Sequence, residues 1–122
     1  MSKKVLIADD EANIVTSLEF LMEQCGFDVR VAVNGREALE LVQSFRPDLV
    51  LLDVMMPEKN GYEVCQAVRA DPALADTKIV MLSAKGRDIE VAKGLELGAD
   101  AYVTKPFSTR ELMAKVKEML GA

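Results

Sequence analysis

Val5-Leu6-Ile7-Ala8-Asp9-Asp10-Glu11 decides the fold. Four apolar residues in unbroken succession, halted by three acids, describe a strand buried on both faces, because a strand with one wet face alternates. The same pattern recurs along the chain. Leu49-Val50-Leu51-Leu52 ends at Asp53, Lys78 to Leu82 ends at Ser83, and Ala101-Tyr102-Val103-Thr104 runs into Lys105-Pro106; Phe27 to Val33 is the remaining strand candidate. Between these runs the period becomes helical. Ile14, Leu18, Leu21, Met22 and Cys25 share a face from Glu11 to Cys25, with Gly26 at the expected C-cap. Ala38, Leu41 and Val42 share one from Arg36 to Phe45, after a turn at Asn34-Gly35. Val64, Cys65 and Val68 point inward from Tyr62 to Ala70, where Asp71-Pro72 breaks the helix. A helix over 87–97 contains Gly94, and Ser108 caps a last helix to about Leu120, with Glu111 placed to complete a capping box. Strand and helix thus alternate five times, which predicts a single α/β domain over 1–122: a doubly wound, five-stranded parallel sheet with helices on both faces.

Composition narrows the function classes. The chain has 122 residues, 15 Lys plus Arg against 20 Asp plus Glu, and no histidine. Ser-His-Asp and Cys-His nucleophiles, histidine-ligated zinc and a phosphohistidine on this chain are all excluded. Cys25 and Cys65 lack C-x-x-C spacing and read as free, buried thiols of a reducing compartment. Residues 1–61 carry six basic and eleven acidic side chains, whereas 62–122 carry nine of each, so the acidic excess sits in the first half. That sign opposes direct binding of nucleic acid. No apolar run approaches a membrane span, and the four apolar residues after Lys4 are too few for a signal peptide, which points to the cytoplasm.

Ligands of open parallel sheets bind beyond the C-terminal strand ends. Those ends carry, in order, Asp9-Asp10, Val33-Asn34, Asp53, Ser83 and Lys105. Three carboxylates gathered at one edge repel one another unless a cation offsets them, and one lysine does not suffice. Oxygen ligands without histidine or thiolate fit a hard cation, Mg²⁺ with Mn²⁺ as a substitute. A carboxylate beside such a cation, an ammonium and a hydroxyl is also equipped for phosphoryl transfer onto the carboxylate, with Asp53 as the attacking group.

Taken together, Ile7-Ala8-Asp9-Asp10-Glu11, Leu52-Asp53-Val54-Met55-Met56-Pro57 with Gly61, Met81-Leu82-Ser83-Ala84 and Gly98 to Phe107 resemble the receiver domain of two-component response regulators over essentially the whole chain. The resemblance implies a flavodoxin-like strand order, 2-1-3-4-5. It makes Asp53 the phosphoacceptor, taking its phosphoryl group from a histidine kinase or histidine phosphotransfer protein. Asp10 would bind Mg²⁺ directly, Asp9 through water and Met55 by its backbone carbonyl. Lys105 would pair with the phosphoryl group, aimed by a cis bond to Pro106. Ser83 would hydrogen-bond a phosphoryl oxygen, and Tyr102 would turn inward on activation.

A phosphorylated aspartate presents more charge and three acceptor oxygens, and the resulting shift of Ser83 would reach the helix at 87–97, the strand at 101–104 and the helix at 108–120. That face is the expected contact for a downstream protein target or an appended output domain. Gly94 reads here as a source of low local stability in its helix. Phe20 lies far from the inward stripe of the first helix and is a candidate contact for the kinase. Two rivals fit less well. A haloacid-dehalogenase-like phosphohydrolase carries a second acid where this chain has Met55. A flavin-binding module needs a hydroxyl- or glycine-rich phosphate loop where this chain has Asp9-Asp10-Glu11.

Overall fold

The computed structural model describes residues 2–84 and 88–121. Strands β1 (Lys4–Ala8), β2 (Asp28–Ala32), β3 (Leu49–Asp53), β4 (Lys78–Ser83) and β5 (Ala101–Thr104) alternate with helices α1 (Ala12–Gln24), α2 (Gly35–Ser44), α3 (Gly61–Ala70), α4 (Asp88–Glu96) and α5 (Thr109–Leu120). All pairings are parallel and the strand order is 2-1-3-4-5, the flavodoxin-like arrangement.

Successive side chains of a strand point to opposite faces, so each buried strand feeds two cores. Val5, Ile7, Leu49, Leu51, Val80 and Leu82 pack with Leu18 and Met22 of α1 and with Leu112 and Val116 of α5. Leu6, Ala8, Val50, Leu52, Ile79 and Met81 pack on the other face with Ala38 and Val42 of α2 and with Val64, Cys65 and Val68 of α3. Every residue of β3 is buried. Complete burial of a Leu or Ile side chain contributes about 1.5–3 kcal/mol, which is why these strands need no polar face.

Several local details differ from the sequence reading. Cys25 is exposed while Cys65 is buried, so only one thiol belongs to the core. The stripe of α1 passes through Val15, Leu18 and Met22 and runs out before Cys25, which is the helix C-cap. Asn34 and Gly35 open α2 instead of forming a separate turn: the Asn34 side chain accepts from Glu37 N–H, and Gly35 is already helical. The complete capping box lies on α3, where Asn60 and Glu63 bond each other's backbone N–H groups. At α5 Ser108 Oγ accepts from Glu111 N–H at 3.3 Å, the forward half of the box. Pro72–Leu74 forms a 3-10 turn that no periodicity announced. Arg87, the expected first residue of α4, lies outside the described residues.

Candidate functional site

The strand order determines which chain segments meet. Because β1 and β3 are neighbours in the middle of the sheet, Asp9 and Asp10, just beyond β1, face Asp53 at the last position of β3. One oxygen from each of the three carboxylates falls within 4.8 Å of the others, with Asp9 and Asp53 buried and Asp10 exposed. Ser83 ends β4, one residue past the Asp53–Leu82 pairing, and is fully buried. Lys105 follows β5, and its backbone N–H bonds Ser83 C=O at 2.7 Å.

The loop after Asp53 is closed tightly. Gly61 N–H donates to Val54 C=O at 2.9 Å. A Cβ on Gly61 would stand 2.5 Å from the Asp53 carbonyl oxygen and 2.9 Å from Val54 Cα, so a side chain there would push α3 off the site. Inside this loop Met55 N–H donates to Asp53 Oδ1 at 3.3 Å. The Met55 side chain is exposed and that of Met56 is buried.

Electrostatics in this pocket are strained by like charge. Burial first, then the negative charge of Asp9, push the Asp53 carboxyl up to about 7, against the opposing pull of Lys105. The Lys105–Pro106 peptide bond is cis. Lys105 Nζ stands 3.0 Å from Asp9 Oδ2, 2.8 Å from Glu11 Oε1 and 3.6 Å from Asp53 Oδ1. Burial works to lower the Lys105 ammonium, and the hydrogen bond to Glu11 together with the ion pair to Asp9 outweighs it, so the net shift is upward. Glu11 is thus part of the site, although the sequence reading gave it no role there.

The residues present fit a hard divalent cation. Asp9 Oδ2 is fully buried and accepts no well-angled hydrogen bond, its contact with Lys105 being an ion pair. A buried carboxylate oxygen left in that condition is costly without a further positive partner. Three convergent carboxylates and no nitrogen or sulfur donor supply the oxygen set that Mg²⁺ or Mn²⁺ prefers.

Tyr102 stands apart from the acids. It lies half-buried on the edge strand β5, opposite Met81, and packs with the core beneath α3. There it hydrogen-bonds Tyr62, whose hydroxyl is pushed up to about 12 by burial first and by that bond second. Lys93 Nζ sits 4.5 Å above the Tyr62 ring. Gly94 has a packing role: a Cβ there would lie 2.9 Å from Met81 Sδ and 3.0 Å from the Tyr102 ring, so α4 approaches the sheet through its missing side chain. Tyr62 carried no signal in the sequence, because the contact joins a residue of α3 to one of β5, far away in the chain. Phe20 is 60% exposed on α1. On the same helix, Ile14 and Leu18 line a cavity of about 300 Å³ with Lys105, Pro106 and Phe107.

A five-stranded parallel sheet with an acid triad, a lysine and a hydroxyl at its C-terminal edge defines a class, and comparison with known proteins agrees. The chain belongs to the response regulator receiver domain family, whose family model matches residues 5–117. A putative response regulator from Chloroflexus aurantiacus is 35% identical, with a TM-score of 0.92 and coverage of 100% of both chains. A BeF3-activated DrrB receiver domain is 34% identical, with a TM-score of 0.91 and again 100% of both chains covered. The chemotaxis response regulator CheY4 of Vibrio cholerae is 31% identical at a TM-score of 0.91, over 98% of this chain and 99% of its own. Among the described residues no helix is long and apolar enough to cross a membrane.

Proposed function

We propose that this receiver accepts a phosphoryl group on Asp53 from a phosphohistidine of a partner kinase or phosphotransfer protein. The observation that carries the reading is Asp53 itself: a buried carboxylate at a strand end, clustered with Asp9 and Asp10 and 3.6 Å from an ammonium. A carboxylate oxygen of Asp53 attacks phosphorus in line, the P–N bond breaks, and its electron pair leaves with the imidazole, which takes up a proton. Met55 N–H, on Asp53 Oδ1, helps to orient the carboxylate. Lys105 balances charge on the phosphoryl oxygens, and the Ser83 hydroxyl donates a hydrogen bond to one of them. Asp10, Asp53 and the Met55 carbonyl would hold Mg²⁺ directly and Asp9 through water. When bound, the cation neutralises the carboxylates and the transferred phosphoryl oxygens.

The chain turns over no external substrate in this reading; it catalyses only its own phosphorylation and dephosphorylation, as a single receiver domain over 1–122 working in the cytoplasm. The partner's helices dock on α1 beside the acids, where exposed Phe20 and the cavity under Pro106 and Phe107 offer apolar surface next to the reacting carboxylate. The signal leaves through α4, β5 and α5 to a downstream protein target or an appended output domain. Tyr102, hydrogen-bonded to Tyr62 and in contact range of Gly94, is placed to couple the site to α4. Incubation with acetyl phosphate and Mg²⁺ followed by intact-mass measurement tests the central claim. One phosphoryl adduct on the wild type, absent from Asp53→Asn, is the expected result. An unmodified wild-type mass, with beryllofluoride also failing to bind, overturns it.

A further inference from the structure

Three carboxylates surround the ammonium of Lys105, and they do not hold it equally. It hydrogen-bonds Glu11 Oε1 at 2.8 Å and faces Asp9 Oδ2 at 3.0 Å, while Asp53 Oδ1, at 3.6 Å, is beyond hydrogen-bond range. The lysine therefore rests on the β1–α1 side of the site, drawn off the residue that carries the phosphoryl group. Its two close partners differ in what release would cost. Asp9 is fully buried and would be left without compensation. The Glu11 side chain is 55% exposed, so water replaces the lysine at little cost.

We propose that Glu11 is a positioning residue that holds Lys105 in a resting place, so that engagement of a phosphoryl group on Asp53 requires the Lys105–Glu11 bond to open. This inference rests on the phosphoacceptor reading and adds a competitor to it. Glu11 touches neither the phosphoryl group nor the attacking oxygen; it acts through Lys105 and sets how strongly the domain responds to phosphorylation. Because the Glu11 end of the contact is open to water, its effect is graded, about two- to fivefold in affinity, and weakens as salt rises.

Beryllofluoride affinity at saturating Mg²⁺, followed by amide chemical shifts, measures the effect. Four chains are compared: wild type, Glu11→Gln, Lys105→Gln and the double variant. Glu11→Gln is expected to bind beryllofluoride two- to fivefold more tightly than wild type, with the gain shrinking at high ionic strength. In the Lys105→Gln background the same substitution is expected to change nothing, since the residue through which it acts is gone. Equal affinity of Glu11→Gln and wild type overturns the inference. So does an equal gain in the Lys105→Gln background, which would mark a general effect of removing a negative charge. A wild type that does not bind beryllofluoride overturns the phosphoacceptor reading and this inference with it, whereas wild-type binding without the predicted coupling overturns this inference alone.

Discussion

The two ends of one sheet treat the same residue type in opposite ways. At the N-terminal ends of the strands, aspartates are hydrogen-bonded into the sheet. Asp48 accepts Lys4 N–H at 2.8 Å, and its own backbone bonds both Lys4 and Lys78. Asp100 Oδ2 accepts Ile79 N–H at 2.8 Å and a charged bond from Arg69 at 2.7 Å, while Arg69 also donates to the carbonyls of Thr77 and Gly98. At the C-terminal ends, Asp9 keeps a buried oxygen without a well-angled hydrogen bond, and Asp53 is pushed toward neutral pH by burial and by Asp9. A satisfied aspartate stitches strands together; a clustered and under-satisfied one stores electrostatic free energy that a cation or a phosphoryl group can release. Satisfaction of the carboxylate, more than its presence at a strand end, separates the structural pole from the functional one.

Substitutions at the two poles should therefore move stability in opposite directions. The largest effect is expected from Asp53→Asn without divalent cation. The folded Asp53 carboxyl, at about 7, holds its proton more tightly than an unfolded aspartate near 3.8, so wild-type stability falls as pH rises from about 4 to about 7. Below that window wild type and variant should coincide. Above it Asp53→Asn should be more stable by about 2–4 kcal/mol, as read by urea unfolding across pH. Coincident curves at pH 8 would remove the contrast between the poles.

At the opposite pole Arg69→Ala is expected to destabilise by about 2–3 kcal/mol, because it strands Asp100 and two carbonyls that are partly buried. Its acetyl phosphate adduct should form as in wild type, the separation a purely structural pole requires. Gly94→Ala should also destabilise, by about 1–2 kcal/mol, reversing the usual helix preference for alanine, because the new methyl meets Met81 and Tyr102. Thermal unfolding checks the sign. The smallest effect belongs to Arg36→Ala, whose pairs with Glu40 and Glu58 are exposed; thermal unfolding should show little or no loss of stability, and none in high salt.

Legibility followed the range of the interactions involved. Short apolar runs marked β3 at Leu49–Asp53 and β5 at Ala101–Thr104 to the residue; in β3 this follows from burial on both faces, which leaves no place for a polar side chain before the strand's end. The acids at 9, 10 and 53, Ser83 and Lys105 were visible for the same reason, as polar residues ending apolar strands. Cys25 was misplaced because helical periodicity carries a face past the point where its helix ends. Gly94 was misread because a glycine looks the same in sequence whether a helix is frayed or pressed against a neighbour. The Tyr62–Tyr102 bond and the capture of Lys105 by Glu11 had no local signature at all.

The sequence by itself determined the alternation of strand and helix, the two-faced core and the inventory of chemical groups at one sheet edge, because each depends on polarity and period within one segment. Which groups face one another, which carboxylate is left under-satisfied and which partner holds the lysine were decided only by tertiary structure. Those outcomes depend on distances of a few ångströms between residues far apart in the chain, and on how much water the surrounding packing leaves them.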